Sequence, residues 1–317
     1  MSLPETLREG LLIPAIAAPM FLVSGPDMVV EACRSGVIGT FPALNQRTSE
    51  GYEAWLEDIE QRLDDIRLQT SRSPARYGVN LIVHKTNTRV ERDLEITVRH
   101  RVPLVITSLG AARAVVDAVH SYGGVVFHDV IHLHHARKAA EAGVDGIIAV
   151  SAGAGGHAGT LSPFAFLAEI RAFFDKTVVL SGAITNGRQI AAAQLMGADL
   201  AYLGTRFIST RESLAPEGFK EMILAANAKD IVYTDAISGV RANFLRASIV
   251  AAGGDPDNLP PHNGMHVSAE GELKAWRDIW SAGHGVGDIH DIPSTAELCE
   301  RLIREYRDAA GVLSSTG

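Results

Sequence analysis

Eight short apolar bursts, each followed by a stretch with helical spacing, restrict what this chain can fold into. They fall at residues 14–20, 37–41, 77–83, 102–107, 124–128, 147–150, 177–181 and 200–205. Between them, Trp55, Ile59, Leu63 and Ile66 recur on one helical face. Ala136, Ala139 and Ala140 lead to Gly143, where a helix-ending glycine belongs. Phe164, Leu167 and Ile170, then Ile190, Ala193 and Leu195, repeat the pattern. Short strands that alternate with helices pair in parallel, because each crossover returns the chain to the same edge. About eight such units over roughly 200 residues match a closed α/β barrel, the (β/α)8 TIM barrel. An open doubly wound sheet would want Gly-x-Gly-x-x-Gly after an early strand, and Gly153, Gly155 and Gly156 do not space that way.

The strand rhythm ends near Arg211. We therefore expect a barrel over residues 1–211 and a C-terminal helical extension, residues 212–317, packed over the barrel mouth as a lid. Within that extension, residues 216–228 read as helix and 234–252 as polar turns with a basic segment. Residues 253–264 are dense in turn formers. Residues 276–306 read as helix broken at 283–287 and at Pro293.

Charge and cysteine content exclude several classes. The 317 residues carry a net charge of −8 with no basic stripe, so nucleic acid is not an expected partner. No apolar run approaches the roughly 20 residues of a membrane span. The N-terminus is charged and lacks the apolar core of a signal peptide. Cys33 and Cys299 are far apart and suit free thiols in a reducing compartment. These features predict a cytoplasmic protein, and a homo-oligomer is compatible with them.

The most reactive-looking stretch is residues 148–159, an apolar strand followed by small residues and one histidine, His157. Glycine lets a ligand approach the backbone closely, and histidine exchanges a proton near neutral pH. A loop whose histidine merely faces water would look the same. In such barrels phosphate commonly binds after strands seven and eight. Here those positions hold Gly182 and Gly204, with the Thr205 hydroxyl alongside, although glycines can simply end strands. Asn80 sits inside an apolar strand, where an amide needs partners. Ser108 ends strand four, and Met20 could lie along a flat ring or pack in the core. His128, His132, His134 and His135 are close in sequence, but His128 and His132 straddle a strand-to-helix junction. No His-Glu-x-x-His or Cys pair accompanies them, so no metal site is expected. No Gly-x-Ser-x-Gly elbow supports a hydrolase.

Six segments then occur in order: Ala18-Pro-Met20, Gly78-Val-Asn-Leu81, Ala154-Gly-Gly-His-Ala-Gly159, Gly187-Arg188, Gly197-Ala-Asp199 and Gly204-Thr-Arg-Phe207. Together they resemble the nitronate monooxygenase family, formerly called 2-nitropropane dioxygenases. Residues 238–243 and 282–287 in the tail are similar to family segments too. The resemblance implies an FMN-binding barrel that oxidises alkyl nitronates, and nitroalkanes with them, using O2. The family histidine falls on His157, as base or substrate-positioning group. The flavin-contacting positions fall on Met20, Asn80, Gly182, Gly204 and Thr205, with Ser108 and Gly156 beside them. The chain departs from the family at Gly153, where a glutamate is common, at Ser181-Gly-Ala, where a Gly-Gly pair is usual, and at Asp129, where some relatives carry lysine. Flavin-dependent enoyl-acyl carrier protein reductases carry a similar Gly-Gly-His segment, and some family members reduce quinones with NADH. An NAD(P)H-dependent reductase is therefore the alternative on the same barrel. From another class, a flavin-free isomerase acting on a phosphorylated metabolite would use the same glycine turns.

Overall fold

The structure is a computed structural model that describes residues 2–70, 72–84, 86–110, 113–259 and 277–315. Eight parallel strands close into a barrel: β1 (Ala15–Ala17), β2 (Ile38–Pro42), β3 (Tyr77–Ile82), β4 (Leu104–Ser108), β5 (Val125–Val130), β6 (Gly146–Val150), β8 (Thr177–Ser181) and β9 (Leu200–Leu203). Closure is made by β1, which pairs with β2 on one side and β9 on the other. β7 (Gly156–His157) lies outside the barrel, in an antiparallel sheet ordered β10-β11-β7 with β10 (Ile231–Thr234) and β11 (Ala242–Leu245). All eight expected barrel strands are present, with ends shifted by a few residues.

Helices α1 (Pro26–Arg34), α2 (Ser49–Gln69), α3 (Val90–Arg99), α4 (Arg113–His120), α5 (Leu133–Ala142), α6 (Pro163–Arg171) and α7 (Gly187–Leu195) follow their strands. α5 ends at Gly143, whose φ of +90° places it in the left-handed region that the sequence position suggested. α7 opens with a capping box, in which the Asn186 side chain accepts from Gln189 N–H and the Gln189 side chain accepts in return. After β9 comes only α8 (Thr205–Ile208), a single turn. The outer ring is completed much later by α11 (Thr295–Ser315), which packs against α7 and α1.

Strand side chains alternate between two apolar clusters, as a pleated strand requires. Val79, Val105, Val126, Ile147, Val178 and Ala201 face the helices. Ile16, Ile38, Ile106, Phe127, Ile148, Val179 and Leu200 fill the lumen. Leu3 and Leu7 close the lumen at its amino end. They are held there by Asp199, which accepts from the Ser2 N–H at 2.8 Å and the Val178 N–H at 2.9 Å and pairs with Arg171. Burial opposes ionisation of Asp199, but these donors outweigh it and hold the carboxyl below its usual range.

The segment after Arg211 differs in part from its reading as helix and turns. α9 (Glu217–Ala225) is helical as expected, but β11 and α10 (Arg246–Ala251) occupy residues read as turns, and β10 lies almost wholly between the expected helix and those turns. Both strands are four residues long and mix polar with apolar side chains, so they carry no alternation long enough to read. Residues 260–264 of the turn-former loop, and Trp276, lie outside the described residues. His284–Asp288 is a 3-10 turn, and the long helix starts only at Thr295, beyond Pro293. Cys33 and Cys299 are both buried free thiols, and burial pushes Cys33 up to about 12. Among the described residues no helix is long and apolar enough to cross a membrane.

Candidate active site

The carboxyl ends of the barrel strands open into a cavity of about 780 Å³, toward the upper end of the roughly 300–1,000 Å³ typical of small-molecule sites. Met20, Asn80, Ser108, Gly156, His157, Gly182, Gly204 and Thr205 all line it. The sequence placed them on six different strands and loops, and the barrel brings them to one face.

The cavity floor is the top layer of the lumen. Ser108, Asp129, Ser181 and Tyr202 each lie two residues beyond a lumen residue, Ile106, Phe127, Val179 and Leu200 respectively, so the pleat turns them inward. Asn80 faces the same way, since Val79 and Leu81 on either side face the helices. Here the lumen changes from apolar to polar. Asn80 Nδ2 donates to the Ile106 carbonyl at 3.1 Å and to Ser108 Oγ at 2.7 Å. Ser108 Oγ in turn donates to Asp129 Oδ2. Both amide protons of Asn80 are thereby committed, which leaves Oδ1 as an acceptor for a ligand N–H. Burial pushes the Asp129 carboxyl up to about 6, with the Ser108 bond opposing that rise. Burial, then the nearby Asp129, raises Tyr202 well above the usual phenol range. His128 lies on the other side of β5, where its Nδ1 meets Thr107 Oγ1 at 2.8 Å and burial lowers it to about 4.

Two glycine turns form the wall after β8 and β9. Gly182 has φ of +144°, and Ala183 beside it has φ of +53°. Leu109, on the opposite rim, is a second non-glycine residue held at positive φ, +62°. Each such backbone stores on the order of 1–3 kcal/mol, the kind of strain that collects at ligand sites. Thr205 Oγ1 accepts the Gly283 N–H at 2.9 Å, leaving its own proton to donate. Residues 283–285 thread between the loop after β6 and the loop after β8. A Cβ on Gly283 would lie 2.5 Å from the Gly153 carbonyl, and one on Gly285 would lie 2.5 Å from Thr185 Cγ2. Positions 283 and 285 therefore have no room for a side chain, while His284 lies between them.

His157 is carried by β7, where it pairs with Ala242 of β11, next to the Gly156–Asn243 pair. Gly156 N–H donates to Ser281 Oγ at 2.6 Å, and Asn243 Nδ2 donates to the Ala154 carbonyl at 2.6 Å. Tyr233 Oη donates to the Ala158 carbonyl at 2.9 Å. What reads in sequence as a loose glycine loop is therefore pinned on both sides of the histidine. The ring is exposed to the open cavity, yet enough protein surrounds it that partial desolvation lowers its pKa from the ordinary imidazole value. Among the described residues, none of the histidines at 128, 132, 134 and 135 joins a set of three ligand atoms close enough for one ion. His132 Nδ1 instead caps α5 by accepting the His135 N–H at 3.3 Å.

The family model for nitronate monooxygenase matches residues 43–305, most of the barrel and the tail that returns to it. The chain belongs to the nitronate monooxygenase family. It is 32% identical to the monooxygenase-like protein Rv1533 of Mycobacterium tuberculosis over 83% of this chain and 74% of that protein. It is 25% identical to a nitronate monooxygenase of Paraburkholderia phytofirmans, covering 95% of this chain and 94% of the other. Among solved structures, a nitroalkane oxidase from Streptomyces ansochromogenes superposes with a TM-score of 0.80 at 22% identity, over 97% and 100% of the two chains. FabK from Thermotoga maritima shares the fold at a TM-score of 0.74 and 21% identity, over 99% and 98%.

For this oxidoreductase, three contributors escaped the sequence reading. Tyr202 lies within the eighth expected strand and was not singled out there, although its two-residue offset from Leu200 would have placed it on the floor. Asn243 and Ser281, which anchor the histidine strand, come from the tail, and no local pattern ties them to residue 156. Asp129 stood out only as a departure from relatives; its offset from Phe127 carried the stronger signal.

Proposed function

We propose that the protein binds FMN in this cavity and oxidises alkyl nitronates, and nitroalkanes that form them, with molecular oxygen, releasing nitrite and a carbonyl product. The observation that carries the reading is the meeting of the Asn80–Ser108–Asp129 floor, the Gly182 and Gly204 turns and His157 around one cavity. Flavin would supply the electron acceptor that is reoxidised by O2. The residues present suit it. Asn80 Oδ1 offers an acceptor for a ring N–H, and Met20 and Pro19 give apolar contact to a flat ring. The Gly182 and Gly204 turns, with the Thr205 hydroxyl, suit a terminal phosphate. One such pair of turns, with no second nucleotide segment, favours FMN over FAD.

His157 then acts on the substrate. Its lowered pKa keeps the imidazole neutral near pH 7, the form that removes an α-proton from a neutral nitroalkane. Once it holds that proton, the same nitrogen can donate a hydrogen bond to the nitronate oxygens. Pairing of β7 with β11 fixes its backbone at the edge of the cavity. We expect His157→Asn to slow turnover of neutral nitroalkanes about 10²–10⁴-fold, the usual worth of general-base help, while sparing preformed nitronates. Steady-state rates on both forms check this. Wild-type rates on both would remove His157 from the reaction, and equal losses on both would make it an anion-positioning group.

A further inference from the structure

Among the described residues, Asp129 is the one acidic side chain lining the cavity, and the reaction outlined above does not use it. It projects inward from β5. The surrounding elements give it little charge compensation. Ser108 of β4 donates to it, and that serine's oxygen is taken up by Asn80 of β3. Its cross-strand neighbour on β6 is the apolar Ile148. Tyr202 of β9 is held as a neutral phenol. His128, next in sequence, faces away and is neutral near pH 7. Among the described residues, the other titratable groups lining the cavity are His128 of β5 together with His135, Lys138, His157 and Arg241, from α5, β7 and the loop before β11. Asp129 forms no ion pair with any of the described residues.

We propose that Asp129 sets the redox poise of the bound flavin, its uncompensated carboxylate disfavouring the reduced anionic form and so lowering the reduction potential. The inference rests on the flavin reading above. Two electrons and one proton convert oxidised flavin to the reduced anion; a second proton gives the neutral reduced form. Inside a water-poor cavity a fixed negative charge opposes a second one more strongly than in bulk solvent. Whichever atom takes it, the second proton is drawn in by the carboxylate. An enzyme poised this way would return electrons to O2 readily, as the proposed oxidase half-reaction requires. It would accept them less readily from a weak donor.

The test is a spectroscopic redox titration of the flavin-loaded protein and of Asp129→Asn from pH 5 to pH 8. Asparagine keeps an oxygen to accept the Ser108 proton. At pH 8 the variant should favour reduced flavin at least tenfold more, a rise of about 30 mV for a two-electron couple. The gap should narrow as pH falls through about 6, where the wild-type carboxyl becomes neutral. A two-proton slope of about 60 mV per pH unit should also persist to higher pH in the wild type than in the variant. Repeating the titration in a His157→Asn background excludes that imidazole as the proton source. Should Asp129→Asn fail to hold flavin, Asp129→Ser gives the same comparison. Equal potentials at every pH, with flavin bound in both proteins, would overturn the role of Asp129 and leave the flavin reading intact. Absence of flavin from the wild type would overturn the flavin reading itself.

Discussion

The turns after β8 and β9 look equivalent in sequence, each a strand running into glycine, yet the structure gives the two glycines different reasons to be there. Gly182 has a φ of +144°, and a Cβ would lie 2.3 Å from Ser151 Oγ and 2.9 Å from the Ala152 carbonyl. Ser151 cannot simply turn away, because its hydroxyl donates to the Ser181 carbonyl at 2.7 Å. Gly204 has a φ of −100°, and its Cβ would sit 3.7 Å from Met20 Sδ, an ordinary contact. The protein needs glycine at 182 for its own backbone. At 204 the fold does not, which suits the ligand role proposed for that turn. Strand-ending glycines are thus separable into fold requirements and site requirements once the space around each is known.

This contrast can be broken by substitution. The largest effect should come from Gly182→Ala, which combines a disfavoured φ with a steric overlap and should lower stability by about 2–4 kcal/mol. Denaturant unfolding measures it; a loss below about 0.5 kcal/mol would show that the loop relaxes freely. Adding Ser151→Ala removes the nearest atom but neither the φ nor the Ala152 carbonyl. The double variant should recover roughly 1 kcal/mol of that loss, and no recovery would assign the whole penalty to the backbone. The smallest effect on folding should come from Gly204→Val, within about 1 kcal/mol of wild type. Flavin occupancy after purification should nonetheless fall sharply, because the new side chain points towards Met20 on the cavity wall. Full occupancy in Gly204→Val would remove the phosphate from this turn.

The barrel was legible because its strands are short apolar runs bounded by Gly, Pro or polar residues, and each is followed by a helical repeat. The lining of the candidate site was legible where a polar residue or glycine interrupts or ends an apolar strand, as with Asn80, Ser108 and Gly204. Alternation extends this further than motif reading does. Counting two residues on from Phe127 and Leu200 finds Asp129 and Tyr202 without any structure. The histidine's support was not legible. β7 is two residues long and its partner β11 lies about 85 residues later, so neither strand carries a period of its own. The closing of the ring by α11 was hidden for a similar reason. A helix that completes the eighth position after a long excursion looks, in sequence, like any tail helix. The clash that fixes Gly182 depends on Ser151, from a different strand end, and no local pattern contains it.

The central claim is that this cavity holds a flavin that takes electrons from a nitronate. Mixing the purified protein anaerobically with an alkyl nitronate, and separately with NADH and NADPH, while recording flavin absorbance tests it most directly. Mass spectrometry of the cofactor released from the same sample identifies it. The account predicts FMN, bleaching by the nitronate, recovery of the oxidised spectrum when O2 is admitted, and no bleaching by either pyridine nucleotide. Bleaching by NADH or NADPH with none by nitronate would contradict it and make the protein a reductase on the same barrel; a colourless protein that releases no flavin would contradict it altogether.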